Sequence, residues 1–213
     1  MSADASRFVI PPPPQAALAI AGSDQLFPVR RIWCVGRNYL EHIKEMGQDE
    51  REPPFFFSKP ADAIVADGGN VPYPPLTKDM HHEVELVVAL KSGGRNIPLD
   101  KALDCIYGYG VGIDLTRRDL QIASRDMKRP WEIGKAFDAS APCGPLRPAS
   151  EIGHPSKGRI ALKVNGNSGG TGIITSAAKG PRGTTGLALA ASGSNGADAI
   201  HAASDKGSGD NRR

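Results

Sequence analysis

Residues 82–88 read His82-Glu83-Val84-Glu85-Leu86-Val87-Val88, a pattern that predicts a β-strand continuing to Leu90. Because successive side chains of a strand point to opposite faces, Glu83 and Glu85 share one face and Val84 lies on the other. Two carboxylates about 7 Å apart on one face, beside an apolar run, repel each other and resist desolvation. The pattern therefore predicts either a cation between the two carboxylates or an edge-strand face that is open to solvent.

A third carboxylate, Asp114, follows a second apolar run, the glycine-rich segment from Tyr107 to Ile113. A buried carboxylate at the end of a strand also needs a partner. Three carboxylates, with no cysteine and no required histidine, form an all-oxygen set that suits Mg²⁺, Mn²⁺ or Ca²⁺ and does not suit Zn²⁺ or copper. The sequence thus favours a divalent-metal site on Glu83, Glu85 and Asp114, with solvated carboxylates as the alternative.

The composition of the 213-residue chain argues against several classes of protein. Its net charge is only +3 and its basic residues form no long run, so we expect no nucleic-acid partner. No run reaches the roughly 18 apolar residues of a membrane span, and the N-terminus shows no apolar signal core; we expect no membrane partner and a cytoplasmic location. Three scattered cysteines fit reduced thiols: Cys34, Cys105 and Cys143.

Short strands dominate the secondary structure that the sequence predicts. Besides the two runs above, strands are expected at 32–35, 55–57 and 160–164, the last turning at Asn165-Gly166. Short helices are expected over 39–46, 99–103 and 116–124. Because the helices and strands do not alternate regularly, we expect a β-rich α+β fold.

The composition changes after about residue 166. No aromatic residue follows Phe137 and no glutamate follows Glu151, while residues 167–213 contain ten Gly, nine Ala and six Ser. Such a segment buries too little apolar area to offset its ordering entropy, so we expect it to be mostly disordered.

Two further groups of polar residues are candidates for chemistry. His42 and Glu45 lie three apart on the predicted helix over 39–46, and a histidine oriented by a carboxylate is a suitable general base. Arg118 and Gln121, also three apart, share a helix face after Asp114, and Lys135 lies among apolar residues. Taken alone, each of these residues is more often an exposed surface residue than part of a site.

Taken in order, five motifs resemble the fumarylacetoacetate hydrolase family, in particular the small single-domain branch of acylpyruvases, oxaloacetate decarboxylases and fumarylpyruvate hydrolases. These motifs are Gly36-Arg37-Asn38-Tyr39, His42 with Glu45, Phe57-Ser58-Lys59-Pro60, His82-Glu83-Val84-Glu85-Leu86, and the run from Gly112 to Gln121. The resemblance implies a mixed β-roll of the family's C-terminal-domain type, commonly a homodimer. We expect an N-terminal extension over 1–27, a catalytic domain over 28–166 that is truncated or altered after about residue 166, and a low-complexity tail over 167–213.

The resemblance also implies roles for the candidate residues. Glu83, Glu85 and Asp114 match the family's ligands of Mg²⁺ or Mn²⁺, and His42 with Glu45 matches the dyad that activates water. The residues that match those holding the substrate are Arg118, Gln121 and Lys135. The implied activity is metal-dependent hydrolysis of the C–C bond of an acylpyruvate, most simply fumarylpyruvate in gentisate breakdown. The alternatives are an oxaloacetate decarboxylase or isomerase on the same scaffold, or an inactive chain.

Overall fold

A computed structural model describes residues 7–36, 55–66, 68–175 and 189–193 of the chain. Within these residues the chain forms twelve strands, three α-helices and three short 3₁₀ turns. The strands are β1 (Ala17–Ile20), β2 (Ser23–Pro28), β3 (Ile32–Gly36), β4 (Phe55–Lys59), β5 (Ile64–Ala66), β6 (Met80–Leu90), β7 (Ile106–Arg117), β8 (Ala141–Cys143), β9 (Arg147–Pro148), β10 (Lys157–Val164), β11 (Asn167–Thr175) and β12 (Leu189–Gly193). The helices are α1 (Arg118–Asp126), α2 (Glu132–Lys135) and α3 (Ala149–Ile152), and the 3₁₀ turns are Ala61–Ala63, Leu99–Lys101 and Leu103–Cys105.

The central sheet has the strand order β12-β6-β7-β8-β5, with β9 also paired to β7. Strands β6 and β7 run antiparallel over their whole length, and their register places Glu83 opposite Asp114. Because β12 pairs with the other side of β6, β6 is an interior strand and not the open edge that the sequence left as an alternative. The β-rich α+β fold predicted from the sequence is confirmed.

The apolar core explains which way β6 faces. Val84 is buried against Ile160, Leu162 and Val164 of β10, so the opposite face of β6 carries the glutamates. A second buried cluster joins β1 to the sheet through Leu18, Val29, Ala89, Cys143 and Leu146. The structure therefore has the alternation of side chains predicted for residues 82–86. Because Val84 faces the core, both carboxylates must point to the opposite face of the strand.

The hairpin between β10 and β11 turns at Asn165-Gly166, as the sequence predicts. Both residues have positive φ, 51° and 76°, which is the conformation of a two-residue type I′ turn. Strand β11 belongs to the segment for which we expected disorder, and so does β12, which pairs with β6. Backbone pairing with β10 and β6 holds these two strands although their side chains are small. The expectation that residues 167–213 are mostly disordered stays a prediction. The division of the chain into three regions stays a prediction.

Several boundaries differ from those the sequence predicts. Strand β7 continues to Arg117, so helix α1 begins at Arg118 and not at Thr116. The helix expected over 99–103 is a pair of 3₁₀ turns. The helix expected over 39–46 lies outside the described residues. Among the helices that are described, none has the length and apolar character needed to cross a membrane.

Candidate metal centre

Three carboxylates from the β6–β7 pair converge on one point. Each of Glu83, Glu85 and Asp114 offers an oxygen, and these oxygens lie within 4.8 Å of one another. Asp114 is 5% exposed, and its buried Oδ1 atom lies 2.9 Å from the Lys59 ammonium. Buried carboxylate oxygens that converge on one point are suited to bind a cation, and an all-oxygen set suits Mg²⁺ or Mn²⁺. These three residues could therefore hold one divalent ion.

Lys135 lies directly against this cluster. Its Nζ atom donates hydrogen bonds of 2.6 Å to both Glu83 Oε2 and Asp114 Oδ2, and the side chain is 2% exposed. Helix α2 places it there: a Cβ atom on Gly134 would lie 2.8 Å from the backbone nitrogen of Gln121, so α2 packs on α1 at a distance that only glycine permits. The lysine that the sequence marks as unusual is thus part of the same cluster.

Arg118 and Gln121 lie on one face of α1, beside Glu83. The Arg118 guanidinium donates to Gln121 Oε1 at 2.5 Å and forms a short ion pair with Glu83 Oε1. Gln121 is buried, whereas Arg118 keeps about a fifth of its side chain exposed. Because β7 leads directly into α1, Asp114 and Arg118 reach the same site from consecutive elements.

The charges around the carboxylates shift their pKa values in different directions. Burial opposes the ionisation of Glu83, but Lys135 and Arg118 outweigh it and lower the pKa of this carboxyl. Burial raises the pKa of Asp114 in spite of Lys135 and Lys59. Burial and the neighbouring Asp114 and Glu83 carboxylates raise the pKa of Glu85 well above its usual value. Glu85 is therefore the carboxylate of this cluster with the greatest need of an added cation.

Asp114 and Glu83 act on Lys135 in return. Burial alone would lower the pKa of the ammonium, but the two carboxylates reverse this effect and raise the pKa of Lys135. At neutral pH Lys135 is a fixed positive charge and a hydrogen-bond donor. It can therefore stabilise negative charge on a bound molecule.

Lys59 also belongs to the cluster, although its sequence pattern predicted no role for it at the site. Its Nζ atom lies 2.9 Å from Asp114 Oδ1 and donates to the backbone oxygens of Leu115, at 3.0 Å, and Lys135. The side chain is 3% exposed, and this burial lowers its pKa although Asp114 opposes the shift. The signal was the alternation along β4, which places Lys59 on the same face as buried Phe57.

Cys34 on β3 also lies near the carboxylates. Burial, followed by the charge of Asp114, raises the pKa of its thiol to about 12. Because the thiolate is the reactive form, this shift disfavours Cys34 as a nucleophile at neutral pH. The centre keeps the all-oxygen character that the sequence predicts.

Aromatic rings close the apolar side of the cluster. The Lys135 Nζ atom lies 5.0 Å from the centre of the Phe57 ring, and Trp131 packs against Phe57 with 5.9 Å between ring centres. The Lys59 Nζ atom lies 5.5 Å from the centre of the Phe137 ring. These contacts keep both ammonium groups in a low-dielectric environment and strengthen their interactions with the carboxylates.

The two residues expected to activate water, His42 and Glu45, lie outside the described residues. Their roles stay a prediction. The remaining predicted site residues lie together: Glu83, Glu85, Asp114, Arg118, Gln121 and Lys135.

Comparison with known sequences gives a family match over most of the chain. Residues 31–175 match the family described as fumarylacetoacetate (FAA) hydrolase C-terminal. An uncharacterized protein of Pyrococcus horikoshii is 41% identical over 145 residues, which cover 67% of this chain and 63% of the relative. The mitochondrial oxaloacetate tautomerase FAHD1 of Mus musculus is 38% identical over 146 residues, which cover 65% of this chain and 66% of the relative. The matched part of the chain thus spans just under two thirds of each relative.

A solved structure gives a likeness in three dimensions. Fumarylpyruvate hydrolase from Pseudomonas aeruginosa, in complex with Mn²⁺ and pyruvate, superposes with a TM-score of 0.73 at 54% identity. The superposition covers 78% of this chain and 73% of that one.

Proposed function

The chain belongs to the fumarylacetoacetate hydrolase family, and we propose that it is a divalent-metal-dependent hydrolase of an acylpyruvate, with fumarylpyruvate as the preferred substrate. The observation that carries the proposal is the convergence of three carboxylate oxygens within 4.8 Å, with Lys135 bound to two of the three side chains. The similarity to a fumarylpyruvate hydrolase in complex with Mn²⁺ and pyruvate supports both the ion and the substrate.

In this proposal Glu83, Glu85 and Asp114 bind Mg²⁺ or Mn²⁺. When bound, such an ion acts as a Lewis acid for the oxygens of a β-diketo acid. Asp114 Oδ1 can take this role because it is buried and its close partner, the Lys59 ammonium at 2.9 Å, leaves a second lone pair open. The raised pKa of Glu85 also supports a bound ion. A divalent charge would favour the ionised form of Glu85, which burial and the other two carboxylates oppose.

Three side chains bind and stabilise the reacting acid. Arg118 and Gln121 hold its carboxylate and oxo groups, since they lie together beside Glu83 and about a fifth of the Arg118 side chain stays exposed. Lys135 donates a hydrogen bond to the oxyanion that develops during cleavage, an effect worth about 3 kcal/mol in comparable sites. Its position costs little reorganisation, because Glu83 and Asp114 already hold the ammonium in place.

His42 supplies the base in the proposed hydrolysis. Oriented by Glu45, it takes a proton from water, and the resulting hydroxide adds to the carbonyl distant from the pyruvate end. The C–C bond then breaks, the pyruvate enolate receives a proton, and fumarylpyruvate plus water becomes fumarate plus pyruvate.

A second candidate activity is isomerisation or decarboxylation of oxaloacetate. The observation that favours it is the 38% identity to a protein named oxaloacetate tautomerase. Enolisation would use the same cation and the same Lys135 donor and breaks no C–C bond. Decarboxylation breaks the bond to the carboxylate that leaves as CO₂ and gives an enolate that takes up a proton, and neither reaction consumes water. Its dependence on the proposed water-activating pair is therefore expected to be weaker.

An absorbance assay of fumarylpyruvate and oxaloacetate, with and without Mg²⁺ or Mn²⁺, tests the proposal. We expect metal-dependent loss of the fumarylpyruvate chromophore with release of pyruvate, and no turnover by Glu83→Ala. Metal-dependent turnover of oxaloacetate without turnover of fumarylpyruvate would contradict the hydrolase proposal and favour the second candidate activity. If the folded, metal-loaded chain turns over neither acid, it is inactive and both proposals fail.

We also propose a homodimer, a cytoplasmic location and a role in gentisate catabolism. The first follows from the family's common assembly, and sedimentation of the full chain with Mg²⁺ tests it. The location and the pathway rest on the sequence and on the proposed substrate.

A further inference from the structure

Lys59 is a buried ammonium that the proposed reaction does not use. It stands at the end of β4, is 3% exposed, and reaches three acceptors on other elements. Two of them belong to β7, namely Asp114 Oδ1 at 2.9 Å and the Leu115 oxygen at 3.0 Å, and the third is the backbone oxygen of Lys135 at the end of α2. Lys59 thus connects the strand that carries Asp114 to the helix that carries Lys135.

The Asp114 carboxylate lies between two ammonium groups. Lys135 donates to Oδ2 at 2.6 Å, and the Lys59 ammonium lies 2.9 Å from Oδ1 as an ion pair. Because a carboxylate oxygen has two lone pairs, Oδ1 can bind a cation while the two ammonium groups restrict rotation of the carboxylate. The Lys59 hydrogen bond to the Leu115 oxygen also holds the backbone next to Asp114.

We propose that Lys59 is a positioning residue that fixes the orientation of Asp114 and so gives the centre its preference for a small octahedral ion over Ca²⁺. Mg²⁺ and Mn²⁺ suit a rigid set of oxygen ligands, whereas Ca²⁺ accepts longer bonds and irregular geometry. Residues that hold a ligand in place commonly change metal affinity by 10- to 100-fold when they are lost. The inference rests on the metal centre alone and does not depend on which acid the protein cleaves.

The alternative role for Lys59 is compensation of a buried negative charge. The two roles make different predictions for Lys59→Met, which keeps the length and apolar stem of the side chain and removes its charge. Loss of charge alone changes the affinities for Mn²⁺ and Ca²⁺ by the same factor, because both ions are divalent. Loss of positioning changes the ratio of the two affinities.

The test is calorimetric titration of the metal-stripped full chain with Mn²⁺ and with Ca²⁺. We expect the ratio of the Ca²⁺ Kd to the Mn²⁺ Kd to fall about tenfold in Lys59→Met. Lys91→Met, which alters an exposed lysine beyond the end of β6, is the matched control and is expected to keep the wild-type ratio. Circular dichroism checks that each variant is folded.

Lys59→Arg provides a second test that keeps the positive charge. Because a planar guanidinium cannot reproduce the contacts of a compact ammonium, we expect the ratio to fall in this variant also. A wild-type ratio in either folded variant would overturn the proposal and leave Lys59 as a charge-compensating residue. A wild-type chain that binds neither ion would contradict the metal centre itself. If the ratio of the two Kd values falls as expected in the Lys59 variants but the wild-type chain does not turn over an acylpyruvate, only the proposed reaction is contradicted.

Discussion

The carboxylates of the cluster are not equivalent at the scale of single residues. Glu83 contacts two cations, Asp114 lies between two ammonium groups, and Glu85 has a raised pKa because burial and two neighbouring carboxylates oppose its charge. Glu85 is thus the carboxylate whose ionisation is least favourable in the metal-free protein, and it is also a proposed metal ligand. Functional sites commonly reduce the stability of the protein in this way.

Replacing Glu85 by glutamine is expected to change the stability of the metal-free protein and its affinity for Mn²⁺ in opposite directions. Near neutral pH, Glu85→Gln should raise the free energy of unfolding of the metal-free protein by about 1 kcal/mol, since it removes an unfavourable buried charge. The same variant should weaken Mn²⁺ binding. Denaturant unfolding and metal titration measure the two changes, with exposed Glu151→Gln as the control. A less stable variant would contradict the conclusion that the buried charge of Glu85 destabilises the metal-free protein.

The water-activating role of His42 gives a second test at this scale. We expect His42→Ala to bind Mn²⁺ as the wild type does and to lose fumarylpyruvate hydrolysis by about 10²- to 10⁴-fold, because a general base contributes factors of this size. Steady-state kinetics with a parallel metal titration measure both properties. Hydrolysis at the wild-type rate by the folded variant would refute the assignment.

At the scale of elements, the contact between α1 and α2 sets the position of Lys135. Gly134 lies so close to Gln121 that an added methyl group would meet its backbone nitrogen at 2.8 Å. Gly134→Ala is expected to cost about 1–3 kcal/mol of stability and to lower kcat by moving Lys135 away from Glu83. Unfolding and kinetic measurements check this, and Gly158→Ala on β10, where nothing lies within 4 Å, is the matched control. Equal behaviour of the two variants would contradict the packing argument.

The start of α1 is also tied to the segment before β6. Asp119 accepts hydrogen bonds from the Thr77 hydroxyl at 2.6 Å and from the backbone nitrogens of Lys78 and Leu120. The Thr77 hydrogen bond is the main reason that the pKa of Asp119 lies below its usual range. A lowered pKa in the folded state means that the ionised carboxylate adds stability above its unfolded pKa of about 3.9, and that this stability is lost as the pH falls through the folded value.

Asp119→Ala is therefore expected to cost about 1 kcal/mol at pH 7, as the loss of a helix-terminal acceptor usually does. The difference from the wild type should shrink as the pH falls below about 3.9. Urea unfolding at several pH values measures it, and Asp100→Ala, at an exposed position, is the control. A difference that does not change with pH would show that Asp119 acts through packing and not through its charge.

Local patterns predicted some of these elements and missed others for physical reasons. The period of two along β6 fixed the faces of Glu83 and Val84, because burial of one face determines the other. Lys59 was missed because its acceptors, Asp114 and Lys135, lie far along the chain. Strand β12 was missed because its small residues have no strong β preference, and its pairing with β6 supplies the hydrogen bonds.

At the scale of the whole molecule, the six ionisable groups of the proposed site form a balanced set. When all are ionised, three negative side chains meet three positive ones: Glu83, Glu85, Asp114, Lys59, Arg118 and Lys135. Before an ion binds, a site with no net charge attracts a dianionic acid only weakly. Once a divalent ion is bound, the site holds a surplus of two positive charges, which matches the two carboxylates of the proposed substrate, fumarylpyruvate. Loading should then follow a compulsory order, with the inorganic ion entering first and the organic anion second.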